Sequence, residues 1–275
     1  MNNDAFKKRA QMIVLIMGLI IIGFPFYWML LTSLTPRQVL FQPPYKFIRL
    51  DLSFENYRDL FFATEFFNYL KNSLIAAAGA IALNVVAATL AGYGLTRFEF
   101  WAKRKFAQGI LFSYMFPPML MAIPLYIILS AMQLRNTYMG IILAHMSISL
   151  PLNIWLMWQY FQIVPISLEE AAWVSGASKL RAMREICLPS ALPGILSVAM
   201  FAFALSWNDF TFAFILQTDK NMFTLPIGLA TFVEQTAIHW GMIMSSAVLV
   251  SVPTFAMVFF LQKYLVRGLG FGGKR

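Results

Sequence analysis

Apolar and polar stretches alternate along the whole chain, and six of the apolar stretches are long. Each has about 20 residues or more, the length that an α-helix needs to cross the hydrocarbon core of a bilayer. The predicted spans lie at about 11–34, 72–96, 106–132, 138–160, 190–217 and 241–266. The pattern therefore predicts an all-α, polytopic membrane protein with six transmembrane helices.

Composition points to the same class of protein. Hydrophobic residues make up 60% of the chain and charged residues only 12%, whereas a soluble domain carries roughly a quarter charged residues. The single cysteine, Cys187, excludes an intrachain disulfide. The net charge of +9 is typical of basic cytoplasmic loops in a membrane protein. Because no basic stretch carries interleaved aromatic residues, we expect a lipid membrane and no nucleic acid as partner.

The distribution of Lys and Arg predicts the orientation of the spans. Lys7, Lys8 and Arg9 precede the first apolar stretch. That stretch is too long for the core of a signal peptide and lacks a small-residue cleavage site, so we expect a retained helix. The N-terminus and the segments that follow even-numbered spans hold 14 of the 21 Lys and Arg residues. Short basic loops stay in the cytoplasm, so both termini and the segment 165–189 are predicted to be cytoplasmic.

The polar segment 35–71 is predicted to lie on the outer side. Pro36, Pro43 and Pro44 argue against a spanning helix there. Its many Phe and Tyr residues suit the membrane interface, so we expect an extracytoplasmic loop with short amphipathic helices. Another partly polar segment, between the fifth and sixth spans, is predicted to hold a partly embedded helix around 226–232.

Two spans carry residues that affect helix packing. Five alanines give the second span small-residue surfaces for close helix packing, or simply fill an apolar helix. These alanines are Ala76, Ala80, Ala87, Ala88 and Ala91. In the third span, Pro117, Pro118 and Pro124 free backbone groups at membrane depth. Such a break either lines a pathway or forms a packed kink.

The segment 165–189 is the longest polar passage between two very apolar ones. Ser167 and Glu170 have the spacing of a capping box, which predicts the start of a short helix. Gly176 lies where that helix would end in the left-handed conformation, and Ser178 can cap a second helix that stops at the end of the segment. We therefore expect two short helices at a tight angle, with a small-residue face that another surface can approach closely. That face contains Leu168, Ala171, Ala172 and Ser175.

The residue pattern of this segment resembles the cytoplasmic signature loop, or EAA motif, of permease subunits of ATP-binding-cassette (ABC) importers. Ser175 stands where that family usually has Asp. The resemblance extends over about 56–267, and its details look most like the carbohydrate branch, specifically the second permease of maltose-type importers. The residues that carry it are Glu170-Ala171-Ala172, Gly176-Ala177, Ile186, Leu188 and Pro189, with Pro165 before them and Trp207-Asn208-Asp209-Phe210 after them.

This resemblance implies the type I fold of ABC importer permeases, formed by a single integral membrane domain at 1–275. It implies an extracytoplasmic loop at 35–71, a cytoplasmic coupling loop at 165–189 and a cytoplasmic tail at 267–275. The implied localisation is the cytoplasmic (inner) membrane of a bacterium or an archaeon. The residues implied to couple the chain to a separate ATPase are Glu170, Ala171, Ala172, Gly176, Ala177, Leu188 and Pro189.

The same resemblance implies the partners of the chain. A second permease subunit would complete a heterodimer, and two ATPase subunits would bind ATP and Mg. An extracytoplasmic solute-binding protein would deliver a sugar, namely an oligosaccharide, a glycoside or a polyol. The chain itself would hold no cofactor. Its implied function is to couple closure of the ATPase dimer to alternating access by rigid-body movement of helices.

Secondary transport of a small polar solute without an ATPase is the alternative that six spans and buried polar residues allow. No inverted internal repeat is visible in the sequence. A proton or sodium relay would need more intramembrane carboxylates than Asp209 alone. The two hypotheses differ over the segment 165–189, which only the ATPase-driven mechanism uses.

The sequence offers no catalytic or metal centre. Two glycine patterns in 268–274 fit a dinucleotide fingerprint and nearly fit a phosphate loop, but both need a preceding strand, and here a predicted membrane helix precedes them. His145 and His239 fall in separate segments, so no metal-ligand spacing exists, and no Ser-His-Asp set can be argued. Cys187 has no catalytic partner in its segment and is interpreted as a packed thiol. We therefore expect no enzyme activity.

Four consecutive residues of the fifth span are candidates for the solute path: Trp207, Asn208, Asp209 and Phe210. A charge in the bilayer is costly, so Asp209 should face the bundle interior or a wet cavity. Amide and carboxylate groups can bind sugar hydroxyls, and an aromatic ring can stack on a sugar's apolar face. Successive helical residues are about 100° apart, so at most one polar and one aromatic residue can touch solute. The alternative is that Asp209 caps a broken helix or bonds to a neighbouring span.

Overall fold

The structure, a computed structural model, describes residues 3–43, 47–232 and 239–268. Within these ranges the chain is mostly α-helical and contains no β-strand. The prediction of an all-α fold is therefore confirmed for the described residues. In chain order the α-helices are α1 (Asn3–Ser33), α2 (Glu55–Phe62), α3 (Phe66–Arg97), α4 (Lys103–Ser113), α5 (Pro118–Ala131), α6 (Tyr138–Ile163), α7 (Ile166–Val174), α8 (Lys179–Ala182), α9 (Leu188–Ser190), α10 (Leu192–Asn208), α11 (Thr211–Leu216), α12 (Leu225–Thr231) and α13 (Trp240–Gly268).

Four of these helices, α1, α3, α6 and α13, are each long and apolar enough to cross a membrane. Two bent pairs pass the same test when their members are taken together. One pair is α4 with α5, bent by 94°, and the other is Lys179–Ser190 with α10, bent by 73°. Counting each bent pair as one span gives six among the described residues, the number that the hydropathy pattern predicts. The bounds of the fifth differ: the second pair begins at Lys179, within the segment 165–189, and ends at Asn208 rather than at about 217.

The third and fifth predicted spans are interrupted. The first break is the one that the prolines of the third span predict, and the second is the broken helix raised as the alternative for Asp209. In the third, Pro117 has an extended backbone conformation just before α5, and Pro118 takes the first helical position, where its missing N–H costs nothing. In the fifth, Asp209 has an extended backbone between α10 and α11. Hydropathy averages over a window and does not register single residues of this kind.

The chain folds into two compact units, of which the first comprises Met1–Phe66 and Leu229–Pro253. In this unit, Asn56 is fully buried. Its side-chain amide donates to the carbonyls of Ser33 at 3.0 Å and Thr35 at 2.9 Å. The carbonyls at the end of a helix lack partners within the helix, so Asn56 satisfies the carbonyl of the last residue of α1 and one two residues beyond it. Arg37 and Asp59 form an ion pair at 2.8 Å in the same unit.

The second unit comprises Phe67–Gly228 and Thr254–Arg275, and its described part has two apolar clusters. One involves α3, α6, the π-helical turn Met183–Cys187 and α10, and contains Ala88, Tyr93, Leu156, Met157, Phe161, Val164, Met183, Cys187, Ala191 and Val198. The other lies around α5, α6 and α11 and includes Ala76 of α3. Ala76 and Ala88 are therefore packing residues, which is the first of the two alternatives that the alanine pattern of α3 allows. Cys187 is free and fully buried, which confirms its interpretation as a packed thiol.

The polar side chains inside α6 belong to this core. Asn153 is fully buried and donates to Asn84 Oδ1 of α3 at 3.0 Å. Ser149 is also buried and donates to the same oxygen at 3.1 Å. Hydrogen bonds of this kind join helices where water is absent. Asn153 therefore ties α6 to α3.

Residues near the start of α3 form hydrogen bonds with the segment that leads into α12. The Asn72 side-chain amide donates to the carbonyls of Asn221 and Phe223, at 2.8 and 2.9 Å, and the Leu225 N–H donates to the Ser73 hydroxyl at 2.8 Å. The helix predicted around 226–232 is present as α12, and α3 begins at Phe66, so the end of the predicted 35–71 loop is already helical.

Candidate functional site

The candidate site is the coupling segment, defined here as residues 165–189, and it folds as two helical pieces joined at Gly176. Gly176 has φ +91°, a left-handed conformation that glycine adopts at little steric cost. Its N–H donates to the Trp173 carbonyl at 3.0 Å, and the Ala177 N–H donates to the Ala172 carbonyl at 2.9 Å. This pair of bonds is a Schellman motif. The prediction that Gly176 ends the first helix in the left-handed conformation is confirmed.

The second piece begins as predicted but does not stop at Pro189. The Ser178 hydroxyl accepts the Arg181 N–H at 3.2 Å, which confirms Ser178 as the cap. The helix then passes through the π-helical turn Met183–Cys187 and continues to Ser190. Proline inside a helix lacks the N–H for the usual bond and its ring crowds the preceding turn. The wider π turn just before Pro189 lets the helix run on.

The predicted capping box is wrong. α7 begins at Ile166 directly after Pro165, which makes no side-chain cap hydrogen bond. Pro165 has φ −61°, already close to the value that a helix needs, so the chain enters the helix earlier than Ser167. Ser167 therefore lies inside the first turn, and the role of Glu170 as a capping partner falls away.

The predicted coupling residues divide into an exposed face and an anchor. Glu170, Ala171 and Gly176 are exposed, and Ala172 and Ala177 are half-buried. Val174, on the same surface, is 90% exposed. Pro189 is exposed, whereas Leu188 is half-buried against the cluster that contains Cys187. The first set is a surface of small and apolar side chains with one carboxylate, Glu170, that another protein can approach closely. Leu188 fixes that surface to the core.

The turn between the two pieces has a further side-chain contact. The Lys179 ammonium lies 5.7 Å from the centre of the Trp173 ring, within the range of a cation–π interaction. Trp173 belongs to α7 and Lys179 begins α8. Together with the Schellman motif, this contact supports the expectation of a rigid angle.

Glu169 is the residue that sequence reasoning missed. It is fully buried; its Oε1 lies 2.6 Å from Arg97 Nε and its Oε2 accepts the Tyr93 hydroxyl at 2.7 Å. In the sequence, Glu169 and Glu170 are adjacent and chemically equal. From the sequence alone, Arg97 is recognisable only as the first cation of a basic loop. No sequence signal distinguishes the buried glutamate from the exposed one.

The four solute-path candidates occupy different environments. Trp207 is buried and its ring stacks on Phe203, 5.3 Å between centroids. Asn208 is exposed, and its amide donates to the Ala204 carbonyl at 2.8 Å. Phe210, the residue before α11, is 41% exposed and its ring stacks on Phe214 of that helix. Only Asn208 and Phe210 therefore present substantial surface.

The Asp209 carboxylate is occupied by contacts within the chain. Its two oxygens accept the N–H groups of Phe212 and Ala213, at 3.4 and 3.0 Å. Oδ2 also lies 3.2 Å from His145 Nε2, and His145 Nδ1 lies 2.7 Å from the Ser206 hydroxyl. The carboxylate thus caps α11 and contacts α6. This is the alternative in which Asp209 caps a broken helix or bonds to a neighbouring span.

This network unites a serine, a histidine and an aspartate that the sequence gives no reason to group. Ser206 and His145 are both buried, with 6% and 2% of their surface exposed, and the Asp209 carboxylate is occupied by His145 and by the N–H groups at the start of α11. The set is therefore a structural network at the break between α10 and α11. No group of three metal-ligating side chains occurs in the described ranges.

We expect Asp209→Asn to lower the free energy of unfolding by about 1–3 kcal/mol, because the amide retains one acceptor oxygen where the carboxylate has two. Assembled protein and transport should fall together. The measurement is the unfolding midpoint of the purified chain in detergent. Asn208→Ala, which removes only a bond within its own helix, is the matched control and should keep the wild-type midpoint. An unchanged midpoint for Asp209→Asn would count against the capping role.

Comparison with known proteins gives one consistent result. Residues 84–270 match the sequence model of the binding-protein-dependent transport system inner membrane component family. The chain is 32% identical over 275 residues to the trehalose/maltose transport system permease protein MalG of Thermococcus litoralis, covering 99% of this chain and 98% of that protein. It is 30% identical over 260 residues to the diacetylchitobiose uptake system permease protein DasC of Streptomyces coelicolor, covering 94% and 93%.

A solved structure shares the fold. It belongs to a bacterial ABC transporter involved in the import of the acidic polysaccharide alginate, and it matches with a TM-score of 0.82 over 96% of this chain and 98% of that chain, at 18% identity. The family match covers more than half of the chain and includes the whole coupling segment. The chain therefore belongs to the family of binding-protein-dependent transport system inner membrane components, and it is a membrane permease of the ABC importer type, not an enzyme.

Proposed function

We propose that the chain is one of two different permease subunits of an ATP-driven importer for a sugar, namely an oligosaccharide, a glycoside or a polyol. Relatives named for trehalose or maltose and for diacetylchitobiose support the substrate class. The observation that carries the ATP-driven mechanism is the coupling segment. It presents an exposed small-residue surface on a rigid two-helix base, which a secondary transporter would not need.

In this proposal, Glu170, Ala171, Ala172, Gly176 and Ala177 form the surface that contacts an ATPase subunit, and Leu188 and Pro189 connect that surface to α10. Two ATPase subunits hold the ATP and Mg; the chain holds none. Closure of the ATPase dimer displaces the coupling segment, and the attached helices move as rigid bodies. Alternating access follows from that displacement.

The solute path is proposed to include Asn208 and Phe210 rather than all four consecutive candidates. Both are exposed at the break between α10 and α11, and they supply one polar and one aromatic group. Trp207 and Asp209 would stabilise the break through contacts within the chain and would not contact solute. An aromatic ring beside an amide suits a sugar, which has an apolar face and hydroxyl edges.

The proposed setting is the cytoplasmic membrane of a bacterium or an archaeon, with 1–275 as one permease domain. Both termini and the coupling segment lie in the cytoplasm, and 35–71 lies outside, where a solute-binding protein delivers the sugar. Of the predicted tail 267–275, the residues after 268 lie outside the described residues. The glycine patterns of that tail are likewise almost entirely outside them.

The test is reconstitution in vesicles with the second permease, the ATPase and the binding protein. We expect uptake of radiolabelled maltose, trehalose or diacetylchitobiose only when ATP and Mg are supplied on the side of the ATPase. The isolated chain should bind no nucleotide. Uptake by vesicles that contain permeases but no ATPase would contradict the proposal and favour a secondary transporter.

The topology is tested by labelling with a membrane-impermeant thiol reagent in a Cys187→Ala background. We expect Val174→Cys to be labelled only from the cytoplasmic side and Leu50→Cys only from outside, because these side chains are 90% and 96% exposed. Native Cys187 should stay unlabelled from either side while the chain is folded, since it is fully buried within its own subunit. Labelling of positions 50 and 174 from one side would contradict the orientation.

A further inference from the structure

A buried ion pair lies beneath the coupling surface, on the side of α7 that faces the core. Glu169 has no exposed surface, and the Arg97 side chain is 8% exposed. Each carboxylate oxygen has a separate partner, the Arg97 guanidinium for Oε1 and the Tyr93 hydroxyl for Oε2. Tyr93 and Arg97 are four residues apart on α3, so they lie on one face of that helix. Glu169 is thereby bound at two points to α3.

Arg97 also binds the end of α6. Its Nη2 donates to the Val164 carbonyl at 3.0 Å, and Nη1 lies 3.5 Å from the Phe161 carbonyl. Carbonyls at a helix C-terminus lack partners in the helix, and a cation is favoured there. The Tyr93 ring packs edge-on against Phe161, 5.8 Å between centroids. One guanidinium therefore joins the ends of α3 and α6 to the middle of α7.

This cluster determines which side of α7 is exposed. Successive helical residues are about 100° apart, so burying Glu169 turns Ala171 and Val174 away from the core. Glu170 is exposed beside them. A buried carboxylate that loses its cation is left uncompensated, so α7 cannot rotate or slide along α3 without breaking the pair. The pair holds the coupling surface in one orientation.

We infer that Glu169, held by Arg97 and Tyr93, is the positioning residue that transmits displacement of the coupling segment to α3 and α6. The inference rests on the proposed function, since it presupposes that an ATPase displaces this segment. Glu169 touches neither ATPase nor solute and acts through Arg97 and Tyr93. Without the pair, α7 would follow the ATPase while α3 stayed behind.

The experiment measures the distance between spin labels at Val174→Cys on α7 and Leu74→Cys near the opposite end of α3, in the complete complex and a Cys187→Ala background. In the otherwise native chain we expect a narrow distance distribution that ATP and Mg leave unchanged, because α7 and α3 move together. In Glu169→Gln we expect a broad distribution that shifts when ATP and Mg are added. A label at Leu74→Cys alone should respond to ATP in the native chain and lose that response in Glu169→Gln.

Glu170→Gln is the matched control, since it removes the same charge from the neighbouring, exposed position. It should weaken co-purification of the ATPase and keep the distribution narrow. If Glu169→Gln fails to assemble, Arg97→Lys retains the charge but loses the forked contacts, and Tyr93→Phe removes one hydrogen bond. Both should broaden the distribution.

Different results would contradict the positioning role of Glu169 and the proposed function of the chain. If the ATPase co-purifies with the native chain and the Glu169, Arg97 and Tyr93 variants all keep a narrow distribution with a normal response at Leu74→Cys, the positioning role is wrong and the proposed function stands. If the native chain neither binds the ATPase nor responds to ATP at either label, the proposed function itself is wrong.

Discussion

Gly92→Ala is expected to lower the free energy of unfolding by about 2–3 kcal/mol, the upper range for overpacking a filled core. A Cβ at Gly92 would lie 2.6 Å from Met157 Cβ and 2.9 Å from the Met157 carbonyl carbon and the Trp158 nitrogen. Two of those three atoms are backbone, so α6 itself would have to move away from α3. Because Gly92 has no Cβ, α3 and α6 can approach each other closely at this point.

Gly94→Ala is the matched control, two residues further along α3. A Cβ there would meet only the Phe98 ring, at 3.7 and 3.9 Å, which are ordinary contacts. Alanine also lowers the entropy lost on folding relative to glycine, so this variant should be as stable as the native chain or slightly more so. The measurement is the unfolding midpoint in detergent for both variants. Equal midpoints would show that α3 and α6 do not approach as closely as the structure has them.

Gly176→Leu and Glu170→Ala are expected to abolish ATP-driven transport while the chain remains folded in the membrane. At Gly176 no atom lies within 4 Å of an added Cβ, so the obstacle is the backbone. Leucine in the left-handed conformation costs about 1–2 kcal/mol, enough to open the Schellman motif and re-aim the surface around Ala171. Glu170→Ala removes the exposed carboxylate of that surface without changing the turn.

The measurement combines the amount of chain in the membrane, co-purification of the ATPase and ATP-dependent uptake. Gly176→Asn is the control for the turn, because Asn tolerates positive φ better than other side chains. It should retain more ATPase and more uptake than Gly176→Leu. Wild-type uptake in both Gly176→Leu and Glu170→Ala would mean that the coupling segment does not couple the ATPase to transport.

The hydropathy pattern predicts four of the spans as single long helices, because burial in lipid requires long apolar helices. It fails where one residue redirects the backbone. Pro118 starts a new helix at 94° to α4, and Asp209 uses its carboxylate to begin α11. The first break depends on a proline and the second on the hydrogen bonds of one carboxylate, and an average over about 20 residues resolves neither.

In the coupling segment, too, some features can be predicted from the sequence and others cannot. Gly176 and Ser178 are predictable because the turn and the cap are local devices. The start of α7 at Ile166 and the burial of Glu169 are not, because a helix of nine residues takes its rotation from tertiary contacts. Those contacts come from Arg97 and Tyr93, more than seventy residues earlier in the chain.

The most direct test of the central claim places a photoreactive amino acid at Val174, a 90% exposed residue of α7, in the complete transporter. We expect an ultraviolet-dependent cross-link to the ATPase subunit, which Gly176→Leu abolishes. The same amino acid at Met119, a 74% exposed position on α5, should give no such product. Absence of a cross-link from position 174, in a complex that retains its ATPase and transports sugar, would contradict the assignment of the coupling segment.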